Sequence, residues 1–210
     1  SSQSRGLGDV YKRQLFGILW IGLLYYFNFV QTEYFKESEA DAKSDVVKKL
    51  VPNALWYFRW AAAFTFFTGV YLLYWKGIAT NVGITLGAIM ATIMAANVWF
   101  VIWPNQKKVI AGAPDAAEAG AKAGLASRTN TLFSIPMLYL MVYSAHAGSL
   151  PNQLLIGNQL TGLWVGLAII AVIELNALFG KMNPMITSVK AVVHSGLALG
   201  VVFALIVNYL

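Results

Sequence analysis

Apolar runs alternate with short charged stretches along almost the whole chain. Six runs stand out, over residues 15–31, 53–75, 82–103, 129–147, 159–179 and 188–210. Most reach the roughly 20 residues a helix needs to cross a hydrocarbon core. The pattern predicts an all-α integral membrane protein, a bundle of about six transmembrane helices forming one domain over residues 15–210. The first run is short for a full span. Residues 1–14 are polar and lead straight into Leu15. They read as a non-native or disordered leader standing where a truncated first helix should begin.

The polar stretches carry their own signals. In residues 32–50, Glu39–Lys43 and Asp45–Lys49 are favourable pairs one helical turn apart, which predicts partial helix. Pro52 suits the first turn of the second span, and Pro104 is expected to end the third. Within residues 104–128, Asp115 and Glu118 fit a capping-box start for a helix that runs on into the membrane. Pro136 predicts a kink in the fourth span. Small residues recur every four positions at Gly83, Gly87, Ala91 and Ala95, at Gly162 and Gly166, and at Gly196 and Gly200. Such rows let helix backbones approach closely in lipid.

Composition sharpens the membrane reading. Hydrophobic residues make up 58% of the chain and charged residues 11%, whereas soluble domains carry about a quarter charged. The net charge of +6 does not indicate nucleic-acid binding, because the basic residues sit in short loops between apolar runs. The loops after the first, third and fifth spans hold Lys36, Lys43, Lys48, Lys49, Lys107, Lys108, Lys122, Arg128, Lys181 and Lys190; outside the leader, the opposite loops hold only Lys76. The positive-inside bias makes the first set cytoplasmic and sends both termini outward. Cysteine is absent, so the sequence has no disulfide, no thiolate metal site and no CxxCH haem attachment.

Polar side chains inside spans are functional candidates by default. On this topology Arg59, Glu174, His194, Asn97 and Asn28 fall at one level near the cytoplasmic face. Each has a plainer reading: Arg59 snorkels to the interface, Glu174 is an interfacial carboxylate, and His194 is a buried histidine bonded to backbone. Their shared depth favours one polar layer. Arg59, Glu174 and His194 are its candidate catalytic groups, and Arg59, Asn97 and Asn28 its candidate substrate ligands. Arg59 and Glu174 are expected to pair, since an unpaired charge at that depth is costly. His146 lies near the outer surface, as an interfacial residue or an axial ligand to haem iron. It is too far in depth from His194 for the two to share one iron.

Four stretches carry a resemblance. They are WIGLLYYFNFVQ (residues 20–31), LVPNALWYFRWAAAFTFFTG (50–69), NVWFVIWPNQKKVI (97–110) and SRTNTLFSIPMLYLMVYSAH (127–146). Together they resemble the membrane domain of the bacterial membrane-bound urate oxidase (urate hydroxylase) family. The likeness is good over residues 15–146 and weak beyond. It implies an inner-membrane oxidoreductase of purine catabolism that oxidises urate and passes electrons to cytochrome c, with haem b as a cofactor and His146 as a metal ligand. The family's usual C-terminal cytochrome c domain has no counterpart in these 210 residues. Its first-helix histidine would fall at Arg13, within the leader. A periplasmic C-terminus agrees with the charge count. Two other classes stay open: a transporter of small molecules or ions built on the polar layer, and a haem-carrying membrane subunit without catalysis.

The charge asymmetry makes a direct prediction. Reporter fusions should place Ala113 in the cytoplasm and Leu210 in the periplasm; a cytoplasmic signal at Leu210 reverses the topology.

Overall fold

The computed structural model describes residues 2–76, 81–146 and 159–210, with side chains over 14–74, 81–146 and 160–210. The side chains of Arg13, Trp75 and Lys76 therefore lie outside the described residues. Every described element is helical. Helix α1 (Ser2–Tyr25) passes through a π-helical turn (Tyr26–Gln31) into α2 (Thr32–Glu37), followed by α3 (Ala40–Lys49) and α4 (Val51–Lys76). Helix α5 (Val82–Ala96) passes through a second π turn (Asn97–Ile102) into α6 (Trp103–Ala111). Then come α7 (Ala116–His146), α8 (Gln159–Phe179) and α9 (Val189–Tyr209).

Among the described residues four stretches are long and apolar enough to cross a membrane: Gln14–Glu37, Val82–Ala111, Leu160–Phe179 and Val189–Tyr209. The other two expected spans form long helices, α4 and α7, but fall outside this group. Helix α4 is rich in Trp and Tyr and carries Arg59; α7 carries Glu118, Lys122, Arg128 and Asn130. Those residues lower apolarity without weakening the helix.

Several boundaries differ from expectation for identifiable reasons. The third helix does not stop at Pro104. The π turn changes the hydrogen-bond pattern just before it, and Pro104 enters α6 in its first turn, where a missing N–H is tolerated. The helix ends at Gly112 instead, whose left-handed backbone (φ 63°) closes the turn with its N–H directed to Lys108 O and Val109 O. Residues 104–128 are thus mostly helix, and α7 begins at Ala116, beside the Asp115–Glu118 start the sequence predicted for a helix running on into the apolar segment. Its opening turns, AAEAGAKAGLA, are rich in alanine, the best helix former. The carboxylates there bond to lysines: Asp115 accepts from Lys108 Nζ at 2.6 Å and Glu118 pairs with Lys122 at 2.8 Å. These contacts hold both carboxyls below their usual range and raise Lys122. The helix α3 forms as expected and keeps its Asp45–Lys49 pair, while the Lys43 ammonium lies over the Phe35 ring.

The chain divides into two compact units. One comprises Ser1–Tyr71 and Ala95–Ser127, the other Leu72–Met94 and Arg128–Leu210. In the first, α1 lies along α4: Phe16 stacks on Phe64 at 4.9 Å and Phe27 meets Phe58 edge-on at 5.4 Å, with Trp20, Leu24 and Phe58 fully buried. In the second, Leu86, Met90, Phe133, Leu140, Ile170 and Phe203 form the core. Asn81 starts α5 by accepting from Ile84 N–H at 2.8 Å, and Ser188 caps α9 by accepting from Ala191 N–H at 3.1 Å.

The glycine rows are packing faces within this second unit. A methyl group added at Gly87 would stand 3.4 Å from Leu140 Cβ and from Met141 Cγ on α7. One at Gly196 would stand 2.5 Å from Ile135 Cδ1 and 3.4 Å from Ile135 Cβ. Gly69, in contrast, has nothing within 4 Å. Gly196→Leu should therefore destabilise by roughly 1–3 kcal/mol or more through overpacking, lowering the thermal unfolding midpoint in detergent. Gly69→Ala should leave the midpoint level or raise it slightly.

Candidate functional site

A π turn carries one residue more than the α-helical ladder accommodates, so it frees backbone groups and redirects side chains. Both π turns fall in the first unit, and each holds one buried asparagine. Asn28 lies in the first and is 3% exposed; Asn97 opens the second and is 2% exposed. Asn28 Nδ2 donates to Leu24 O at 2.9 Å and to Ser127 Oγ at 2.8 Å, tying the first helix to α7. Thr32 Oγ1 donates to Phe27 O at 2.7 Å, giving the distorted turn a side-chain donor.

Arg59 projects from α4 beside the second π turn. Its guanidinium lies 3.8 Å from the centre of the Trp103 ring and 5.9 Å from that of Trp99. The Trp99 indole N–H donates to Arg59 O at 3.1 Å, fixing one wall of the site to the helix that carries the cation. Trp60 meets Trp99 edge-on at 5.4 Å and continues to Trp56 at 6.4 Å, both exposed. The half-buried Arg59 is thus held by a tryptophan cage. Its Nη1 is closed off from solvent and has no hydrogen-bond acceptor. A guanidinium stacked on indoles, with a donor left over, is chemically suited to a planar oxyanion.

The other expected site residues belong to the second unit. Glu174 is half-buried on α8. His194 is exposed on α9, with Nδ1 2.7 Å from Lys190 O, so it is bonded to backbone but is not a buried histidine. His146 is the exposed last residue of α7, with Nδ1 2.9 Å from Val142 O. Among the described residues no group of three His, Asp or Glu gathers as a metal site.

One cluster escaped the sequence reading. Arg128, Thr129, Asn130, Thr131 and Ser134 are all buried in the second unit, and Arg128 is 4% exposed. Arg128 is therefore not a loop cation; helix α7 begins twelve residues before it. Asn130 Nδ2 donates to Met94 O at 3.0 Å, and Ser134 Oγ to Thr131 O at 2.7 Å. The signal was present as a run of consecutive polar residues, SRTNT, beside an apolar segment.

Long apolar helices and polar groups buried between them define a helical protein of the membrane-associated class. The urate oxidase N-terminal family model matches residues 78–207, more than half the chain, and the chain belongs to that family. No curated protein and no solved structure matches it. The matched region includes Asn97, Trp103, the buried polar row, His146, Glu174 and His194, and extends through the part whose resemblance looked weak. It begins after Asn28 and Arg59.

The Asn28–Ser127 contact is open to a direct test. Asn28→Ala should cost roughly 1–3 kcal/mol by leaving a buried acceptor unmade. A double-mutant cycle with Ser127→Ala should show coupling of at least about 0.5 kcal/mol, and strict additivity would mean the two side chains do not interact.

Proposed function

We propose that this chain is the membrane-embedded oxidoreductase domain of a urate oxidase, taking urate at Arg59 and passing electrons outward to a cytochrome c. The observation that carries the reading is the family match over residues 78–207. Arg59 adds a cation of suitable chemistry, because urate is an anion at neutral pH and a guanidinium recognises oxyanions through paired donors. Asn28 has both amide protons committed, so it offers substrate only an acceptor oxygen. Glu174 and His194 are the proposed proton-transfer groups. The proposed setting is the bacterial inner membrane, with the C-terminus in the periplasm.

His146 is the residue that would hold the proposed haem b. The fit rests on its tautomer. Facing the carbonyl of Val142, Nδ1 carries the proton, which leaves the Nε2 lone pair free for iron. Bound there, haem would take up and release single electrons. The family's second histidine would fall at Arg13.

A transport reading draws support from one feature, the buried polar row from Arg128 to Ser134 inside α7. Polar groups buried along a membrane helix are also what a solute path uses.

One preparation distinguishes these readings. Purified protein in nanodiscs should consume urate while reducing added cytochrome c, and Arg59→Gln should lower kcat/KM roughly tenfold or more. Arg13→His protein should show a Soret band that His146→Ala removes and His194→Ala retains. A colourless Arg13→His protein overturns the haem assignment. Urate uptake into proteoliposomes without oxidation favours the transporter.

A further inference from the structure

Trp103 gathers two cations and no acid. The Arg59 guanidinium lies 3.8 Å from its ring centre and the Lys107 ammonium 5.5 Å. Both are inside the range, about 6 Å, over which an indole face attracts a cation. That attraction comes from a quadrupole and leaves both charges unneutralised. Ion pairs form elsewhere in the same unit: Lys36 with Glu33, Lys49 with Asp45, Lys108 with Asp115, and Lys122 with Glu118. Among the described residues neither Arg59 nor Lys107 has a carboxylate partner. Arg59 Nη1 is also shut away from water without an acceptor, a deficit that a bound oxyanion would relieve.

We propose that Arg59 and Lys107, gathered on Trp103, form a two-cation receptor for one oxyanion, with Lys107 a second positioning residue for the anionic substrate. The proposal rests on the reading of Arg59 as the substrate's cation. The two side chains divide the work by exposure and shape. Lys107 is exposed, so its flexible ammonium meets the anion first. Arg59 is half-buried and its planar fork fixes orientation. The exposed Trp56 and Trp60 rings, reached through Trp99, supply flat apolar surface beside the charges. An anionic lipid headgroup shares the oxyanion chemistry, and the experiment separates the two sources.

Urate binding is measured by equilibrium dialysis with the full chain in phosphatidylcholine nanodiscs. Lys107→Gln should raise Kd roughly tenfold, and Lys107→Arg should restore most of the affinity. Arg59→Gln should weaken binding at least as much, and Arg59→Lys should not rescue it, since the fork is lost. The Lys107 effect should shrink as salt rises. Urate turnover with an unchanged KM in Lys107→Gln overturns the receptor and leaves the urate reading intact. Inorganic phosphate bound in a Lys107-dependent way, with urate neither bound nor oxidised, supports the receptor and sinks the urate reading. Phosphatidylglycerol retained in an Arg59- and Lys107-dependent way, with urate affinity indifferent to both, shows that the ligand is lipid and overturns the proposal.

Discussion

A polar group placed where water cannot reach must find its partner inside the protein, and much of this structure follows from that requirement. In hydrocarbon an unmade hydrogen bond has no solvent substitute. Asn28 meets the requirement by bonding both a carbonyl of its own helix and Ser127 of α7. Asn130 does so by reaching across to Met94 O. Thr32, Thr65, Thr85 and Thr92 turn their hydroxyls back onto carbonyls of their own helices. Contacts that cross from one helix to another fix their neighbours, whereas self-satisfied hydroxyls merely tolerate burial. The requirement is not met among the described residues at several buried atoms, among them Trp20 Nε1, Gln31 Oε1 and Arg59 Nη1, and the last of these belongs to a charged group in an aromatic cage.

Close approach is the second constraint, and it is handled by omission of side chains. Gly83 and Gly87 on α5 and Gly196 on α9 each bring their backbone against side chains of α7. Helix α7 is therefore the element that others in the second unit pack against. Its own buried surface combines Phe133 and Leu140 with Asn130, Thr131 and Ser134. In lipid, packing and interhelical hydrogen bonds replace the hydrophobic drive between helices, and this helix supplies both.

Much of the fold was legible because the determining signals are local. Apolar runs located the helices, Ser188 marked the start of the last one, and the glycine rows named contact faces before any contact was known. The failures were also local signals, but ambiguous ones. Pro104 ends a regular helix, yet it is admitted when a π turn precedes it and it falls in the first turn of the next helix. Arg128 read as a loop cation because the stretch before it is polar, although Asp115 and Glu118 had signalled the helix that runs through it. Of the site, Arg59, Asn28 and Asn97 were visible as polar interruptions in apolar runs. Their surroundings were not: the approach of Trp103 to Arg59 depends on how α4 meets α6, which no spacing in the sequence encodes.

The second π turn also sets a phase. An α-helix advances about 100° per residue, so taking up an extra residue between Asn97 and Ile102 offsets the later side chains from where a regular helix through the same residues would put them. In that offset frame the Trp103 ring meets Arg59, and Lys107 lies over the same ring. A one-residue deletion in this turn would relieve the irregular hydrogen bonding and lengthen a regular helix. It would leave the indole and the ammonium near their places, whereas forcing all the same residues into a regular α-helix would swing both around the axis by about 100°. The irregularity therefore acts as an angular offset that sets which face of α6 carries the charged aromatic cage.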